Sequence, residues 1–233
     1  MIQHDANLEK LKAYREKFRS IYEQPLDPKR NMVRRPGKFR VLEVFTWTHM
    51  VTECARLLSD HWECYEPITL PKFDLLTEDG RQKARDYIEL VDPDFLMIAD
   101  PCGPFSKMNI NMKQRTPEQV RRLHDKQEQS RAFLVFVEEL VHYQYERHRA
   151  VVRENPATAL SWKEAPMLAA FNRPGFASVI TDMCMYDKIR PDNHMHVRKP
   201  TMLKGTREIC EAASLRCDRS HDHSPIEGRM RIP

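Results

Sequence analysis

The chain has 233 residues, of which 41% are apolar and 31% are charged, and its formal net charge is +4 at pH 7. This length suits one globular domain, and the small net charge excludes a polycation, so a nucleic-acid surface would have to be a local basic patch. The sequence has no apolar run of membrane-spanning length and no signal-peptide profile, and its six cysteines lack paired spacing. We therefore expect an intracellular protein, nuclear or cytoplasmic.

The first part of the chain combines a helix with a basic linker. Apolar residues recur at helical spacing over residues 6–24, which predicts one amphipathic helix. Six cations follow among the twelve residues from Lys29 to Arg40. They are typical either of a solvated linker or of a strip that neutralises phosphates. We treat residues 1–39 as this N-terminal unit.

Strands and helices alternate through residues 40–205. Strands are predicted at residues 41–45, 62–68, 94–99, 150–153, 177–181 and 200–203. Helices are predicted at residues 51–58, 77–90, 116–147 and 166–171, and Thr116-Pro117-Glu118-Gln119 is typical of a helix start. This alternation predicts an α/β domain with a Rossmann-like, mostly parallel sheet and helices on both faces.

A single thiol follows the predicted strand at residues 94–99. Cys102 lies in the rigid turn Pro101-Cys-Gly-Pro-Phe-Ser106. In an open α/β sheet, ligands bind outside the carboxyl ends of the strands, which favours a nucleophile here. The turn by itself is equally compatible with a buried structural cysteine.

A second motif accompanies this turn. Glu154-Asn155-Pro156 follows the predicted strand at residues 150–153, about fifty residues after Cys102. A Pro-Cys turn ending in Phe-Ser and then Glu-Asn, in this order and at strand ends, resembles the cytosine-C5 DNA methyltransferases over residues 40–203. The segments at residues 153–162, 182–186 and 199–201 also resemble the compact methyltransferase-like domains of some eukaryotic retroelement polyproteins.

The resemblance implies an activity and roles for individual residues. It implies a DNA (cytosine-5-)-methyltransferase that uses S-adenosylmethionine, with Cys102 as the nucleophile that adds to carbon 6 of cytosine. Glu154 would be the acid at the N3 edge, Asn155 would organise the loop, and Arg198 would lie near the base. The target base would be flipped out of a duplex or presented single-stranded.

The resemblance also implies two binding surfaces. The residues expected at the methyl donor are Phe45, Thr46, Trp47, Glu66, Asp74, Asp100 and Pro101. The residues expected at nucleic acid, with DNA favoured over RNA, are Ser106, Lys107, Lys113, Arg115, Arg121 and Arg122. The alternative interpretation is an ordinary surface acid for Glu66 and Asp74, and an exposed helix start for the cations.

The sequence departs from the family at the donor turn. The family has a glycine-rich turn after its first strand, where the backbone approaches the donor closely. This chain reads Phe45-Thr-Trp-Thr-His-Met50, without glycine, and has no long segment for target recognition. The alternative hypothesis is therefore an inactive domain that binds nucleic acid, within a retroelement polyprotein. A protein partner could supply target recognition.

The C-terminal extension, residues 206–233, contains ligand types that suit zinc. We predict a zinc site from Cys210, Cys217, His221 and His223, with further candidate ligands at Cys184, His194 and His196. The alternative is a polar C-terminus with Cys210 buried on a helix.

Overall fold

A computed structural model describes residues 37–46, 50–58, 61–107, 116–190 and 193–224, with the backbone alone at 50 and 56–58. The predicted helix at residues 6–24 and most of the basic linker lie outside the described residues.

The described residues contain one six-stranded mixed sheet. Its strands are β1 (Phe39–Val44), β2 (Trp62–Cys64), β3 (Phe95–Ile98), β4 (Ala150–Pro156), β5 (Phe176–Asp182) and β6 (Pro200–Thr206). They lie in the order β2-β1-β3-β4-β6-β5. The first four strands in this order, β2, β1, β3 and β4, pair in parallel. In contrast, β6 is antiparallel to both β4 and β5. The predicted α/β sheet is confirmed, with an antiparallel strand inserted near one edge.

Five helices accompany the sheet in the described part of the chain. They are α1 (Met50–Leu58), α2 (Glu78–Val91), α3 (Pro117–Glu146), α4 (Ala165–Phe171) and α5 (Arg207–Ala212). The predicted start of α3 is confirmed, because the Thr116 hydroxyl accepts from the Gln119 amide while the Gln119 side chain accepts from the Thr116 amide. None of the described helices has the length and apolar character needed to cross a membrane.

Both faces of the sheet are covered, and its central strand β3 (Phe95–Ile98) is accordingly apolar throughout. On one face, β3 contributes Leu96 to a core that also contains residues of α2, α3 and α4. On the other face, Phe95 belongs to a core with Ile209 and Cys210 of α5. Successive residues of a strand point to opposite faces, so one strand supplies both cores.

The strand order reverses at β1, which has β2 on one side and β3 on the other. In open α/β sheets the crevice outside the carboxyl ends of the strands at such a switch point is the usual ligand site. Ala99 stays next to β1, since its amide donates to the Val44 carbonyl at 3.0 Å. The switch point therefore brings the chain after β1 close to the Cys102 turn after β3.

The predicted strand at residues 62–68 is shorter in the structure, where β2 ends at Cys64. Pro67 has no amide proton and cannot continue the ladder of hydrogen bonds. The chain nevertheless returns to β1, because Ile68 donates to the Glu43 carbonyl at 2.9 Å and accepts from Phe45 at 2.9 Å.

Candidate functional site

The Cys102 turn is held by the core and by α3. Cys102 is half-buried and precedes a short 3-10 helix, Gly103–Phe105. The Phe105 ring is buried, and Gln127 of α3 donates its side-chain amide to the Pro104 carbonyl at 3.1 Å. Two independent contacts thus fix the loop that presents the thiol.

A buried ion pair joins this turn to β4. Arg153 donates from Nε to Asp100 Oδ1 at 2.5 Å and from Nη2 to Asp100 Oδ2 at 2.7 Å, while its guanidinium lies 4.2 Å from the Trp162 ring. Asn155 donates to the Asp100 carbonyl at 3.0 Å. Asp100, which we expected at the donor, therefore directs both carboxylate oxygens to Arg153 and ties the turn to β4.

Four polar side chains meet beside this turn, and we call them the Cys102 cluster: Cys102, Glu154, Lys188 and Lys199. Lys199 Nζ lies 3.5 Å from Glu154 Oε1, and each of these side chains is only about a quarter to a third exposed. Burial raises the pKa of Cys102, the ammonium of Lys199 lowers it, and Glu154 raises it. Burial lowers the pKa of Lys188, with a further contribution from Lys199. Lys199 and Glu154 thus act on both the Cys102 thiol and the Lys188 amine.

Arg198 lies elsewhere. Its Nε is 3.5 Å from Oδ1 of Asp182, a buried residue at the end of β5. Neighbouring residues of an extended segment point in opposite directions, so Lys199 turns toward Glu154 while Arg198 turns away. We expected Arg198 near the base, but it is the next residue, Lys199, that lies beside Glu154. Alternation predicts that the two cations point in opposite directions, and only the contacts decide which of them faces Glu154.

The residues expected at the methyl donor after β1 differ in their burial and in their contacts. Phe45 adopts a left-handed φ of 64° and its ring contacts Phe133 at 5.3 Å. Thr46 and Thr52 are buried, and their hydroxyls have no hydrogen-bond partner among the described residues. Glu43 is also buried and accepts from the amides of Val51 and Thr52 at 3.2 and 3.0 Å, in the first turn of α1. Trp47 lies outside the described residues.

The remaining donor candidates lie at the surface. Glu66 is exposed and forms an ion pair with Lys72. Asp74 is exposed and accepts from the Leu76 amide at 3.1 Å within a local turn. Pro101 is exposed in the Cys102 turn. The two acids therefore make local contacts, and a role at the donor stays a prediction for both.

The expected nucleic-acid residues that the structure describes are mostly exposed. Ser106 is half-buried, and its amide donates to the Gly103 carbonyl at 3.1 Å. Lys107, Arg121 and Arg122 are exposed, with Arg122 paired to Glu118. Lys113 and Arg115 lie outside the described residues.

A group of cysteines and histidines, which we call the metal cluster, lies at the end of β5: Cys184, Cys217, His221 and His223. Their four ligand atoms all lie within 4.8 Å of one another. Cys217 Sγ is 3.3 Å from His223 Nε2 and 3.7 Å from His221 Nε2. This arrangement of two thiols and two imidazoles can hold one metal ion.

Cys210 does not belong to this cluster, so our expectation for it is wrong. It is fully buried in the apolar core on α5, where burial raises its pKa to about 12. Cys184, an alternative in the sequence analysis, takes its place. The reason is a long-range contact: Asp182 accepts from the Cys217 amide at 3.0 Å and so brings the tail to the residues that follow β5.

No protein-family model matches the chain, and no curated protein matches it significantly.

Proposed function

We propose that this protein transfers a methyl group from S-adenosylmethionine to carbon 5 of cytosine in DNA, with Cys102 as the nucleophile. One observation carries the proposal: the thiol of Cys102, in the turn after β3, lies near enough to the carboxylate of Glu154, on the adjacent parallel strand β4, for this carboxylate to raise the pKa of the thiol. The strand order reverses at β1, next to β3, and the carboxyl ends of strands at such a reversal are the usual ligand site of open α/β sheets.

The proposed chemistry needs this pair of groups. The Cys102 thiolate forms a C–S bond to carbon 6, and the electrons of the 5,6 double bond move to carbon 5. Glu154 donates a proton or hydrogen bond at N3 and so offsets the added charge. Carbon 5 would then take the methyl group as the bond from this group to the sulfonium sulfur of the donor breaks. Water would accept the proton of carbon 5, and the electrons of that C–H bond would restore the 5,6 double bond and expel the thiolate.

Lys199 supports the nucleophile in this scheme. Burial raises the pKa of Cys102, which opposes formation of the thiolate. The Lys199 ammonium acts in the opposite direction while also lying 3.5 Å from Glu154. We assign Lys199, in place of Arg198, as the cation of the reaction site.

S-adenosylmethionine would supply an electrophilic methyl group beside carbon 5. The chain after β1 offers two buried hydroxyls, Thr46 and Thr52, that lack a partner among the described residues. Buried polar groups normally have hydrogen-bond partners, so these hydroxyls support a polar ligand at the end of β1.

Covalent trapping tests the proposal. With S-adenosylmethionine present, duplex and single-stranded DNA containing 5-fluorocytosine should form a covalent complex, because fluorine at carbon 5 cannot leave as a proton. Cys102→Ala should form none, and Cys64→Ala, which changes a half-buried thiol on β2, should retain the complex. Absence of the complex with folded wild-type protein would overturn the proposal.

A second candidate function is nucleic-acid binding without methyl transfer. It is favoured by Glu43, whose carboxylate already accepts from the two amides of the first turn of α1 and so makes them unavailable to a ligand. A ligand that binds only the folded protein raises the melting temperature. If S-adenosylmethionine raises the melting temperature and adenosine alone does not, the second candidate is rejected. If S-adenosylmethionine leaves the melting temperature unchanged and the protein binds DNA, the second candidate is favoured.

We also infer that the ion of the metal cluster is Zn²⁺. Two cysteine thiolates and two imidazoles are a characteristic closed ligand set for structural zinc. Zinc content of purified protein tests the assignment, and the expected value is one ion per chain. Cys184→Ser should lose the ion and Cys210→Ser should retain it, because Cys210 lies in the core. The reverse result would reject this ligand set.

A further inference from the structure

We propose that the metal cluster is a structural clamp that holds the segment from residue 183 to residue 199 and thereby keeps Lys199 beside Glu154 and Cys102. The clamp rests on zinc binding by Cys184, Cys217, His221 and His223. Its consequence for catalysis rests on the proposed methyl transfer.

The geometry of the metal cluster fits a clamp. Bonds of about 2.3 Å from zinc to sulfur and about 2.0–2.1 Å to nitrogen, at tetrahedral angles, place ligand atoms about 3.3–3.8 Å apart. Cys217 Sγ lies 3.3 and 3.7 Å from the two histidine nitrogens. Four protein ligands leave no open coordination position, which is typical of a structural rather than a catalytic ion.

Backbone hydrogen bonds connect the ligands to both ends of the segment. Met183, directly before Cys184, donates its amide to the Lys199 carbonyl at 3.2 Å. Ser224, directly after His223, donates its amide to the His196 carbonyl at 2.8 Å. An ion that joins Cys184 to His223 therefore closes a ring of contacts around the residues that lead to Lys199.

The buried carboxylate of Asp182 reinforces the same junction. It accepts from the Cys217 amide at 3.0 Å and lies 3.1 Å from Arg216 Nε through Oδ2. Arg198 Nε lies 3.5 Å from Oδ1. Arg198 thus points toward Asp182 at the end of β5. Because neighbouring residues of an extended segment point in opposite directions, Lys199 points toward Glu154 on β4.

The held segment carries both amines of the Cys102 cluster. Lys188 donates its amide to the Met183 carbonyl at 3.3 Å and accepts from the Val197 amide at 2.8 Å. Lys199 is followed by Pro200, whose carbonyl accepts from the Ala157 amide at 3.0 Å. Between residues 187 and 199 the described chain forms no helix or named strand. Its position therefore depends on contacts of single residues, which include the bridge from His196 to the ligand His223 and the hydrogen bond from Asn193 to Ser224 at 3.2 Å.

Hydrogen–deuterium exchange on the full chain tests the clamp directly. Removal of zinc by a chelator, or Cys217→Ser, should accelerate amide exchange at least tenfold in peptides covering residues 184–199. Peptides covering β1 and β3 should stay protected, and Cys54→Ser, on α1, should change neither region. Unchanged exchange at residues 184–199 in protein shown to have lost its zinc would overturn the clamp, as would loss of protection throughout the sheet.

Alkylation of Cys102 tests the link to the reaction site without requiring methyl transfer. With zinc bound, Lys199→Met should slow iodoacetamide alkylation of Cys102 about two- to tenfold, because a nearby cation favours the thiolate. In the Cys217→Ser variant, addition of Lys199→Met should not slow the alkylation of Cys102 any further. An equal effect in both backgrounds would overturn the link.

The two proposals fail in different ways. Zinc-dependent exchange and alkylation without a covalent DNA complex would sustain the clamp and reject the methyl transfer. A covalent DNA complex in zinc-free protein, with residues 184–199 still protected, would sustain the methyl transfer and reject the clamp.

Discussion

Arg153 and Asp100 form a buried two-point ion pair, with 2.5 Å between Nε and Oδ1 and 2.7 Å between Nη2 and Oδ2. Arg153 and Glu154 are consecutive residues of β4, and Asp100 lies two residues before Cys102. The pair therefore ties the turn that carries the candidate nucleophile to the part of β4 that carries the candidate acid.

Removing one member of this pair should destabilise the whole domain. Arg153→Met leaves the Asp100 carboxylate buried without its cation, and we expect the free energy of unfolding to fall by about 3–5 kcal/mol. Urea denaturation measures this change. Lys83→Met removes an exposed ion pair with Asp79 on α2 and should cost less than about 1 kcal/mol. Similar losses in the two variants would contradict the structural role of Arg153.

Gly205 should tolerate no side chain. It has a φ of +146° within β6, and a Cβ there would lie 2.0 Å from the Val151 carbonyl oxygen. We expect Gly205→Ala to lower the free energy of unfolding by at least about 2 kcal/mol, since backbone strain and a backbone clash combine. Gly103→Ala is the matched control, because no atom lies within 4 Å of its Cβ position. Chemical denaturation measures the free energy of unfolding of both variants. Equal values for Gly205→Ala and Gly103→Ala would reject the predicted clash and strain at Gly205.

The sequence was sufficient to predict the alternation of elements. The same alternation explains why Cys102 and Glu154 belong to neighbouring parts of the sheet, β3 and β4. Parallel strands connected by helices present their carboxyl ends at one edge of the sheet, so the turn after β3 lies beside the carboxyl half of β4, where Glu154 is found. The predicted end of this strand at Arg153 is wrong, because β4 continues through Pro156 in its pairing with β6. The start of α3 was equally predictable, because Thr116 and Gln119 form a local capping box. Each of these features depends on residues close in the chain or on a general rule of topology.

The remaining features depend on contacts between distant residues. The insertion of β6 between β4 and β5 follows from pairings such as Asn155 with Met202, for which the sequence has no local signal. Cys184 joins the metal cluster through a tail more than thirty residues later in the chain. The inward direction of Asp100 is set by Arg153, a fully buried cation that follows Ala150, Val151 and Val152 on β4, and no local sequence signal pairs these two distant residues.

The reactivity of Cys102 should respond in opposite directions to its two charged neighbours. Burial and Glu154 raise the pKa of the thiol, and Lys199 lowers it. At pH 8, below the ordinary thiol pKa of 9.0, Glu154→Gln should accelerate alkylation of Cys102 and Lys199→Gln should slow it. Mass spectrometry of the peptide that contains Cys102 measures both rates. Cys54 in the same samples is the internal control, because burial and Glu43 raise its pKa without Glu154.

The buried thiol of Cys210 should make the protein less stable in alkali. Burial raises its pKa in the folded protein from 9.0 to about 12. Above pH 9 the unfolded chain loses this proton while the folded protein retains it, so the folded state binds more protons and its stability falls as the pH rises toward 12. Each pH unit in this window contributes about 1.4 kcal/mol.

Cys210→Ala removes this titration. The stability of the wild type relative to this variant should therefore decrease by about 1 kcal/mol or more between pH 8 and pH 10, measured by urea denaturation at each pH. Ile209→Val changes the same buried helix without a titratable group, so its difference from the wild type should stay constant over this range. A constant difference for Cys210→Ala as well would show that the thiol ionises equally in the folded and unfolded chain, and it would place Cys210 in contact with water.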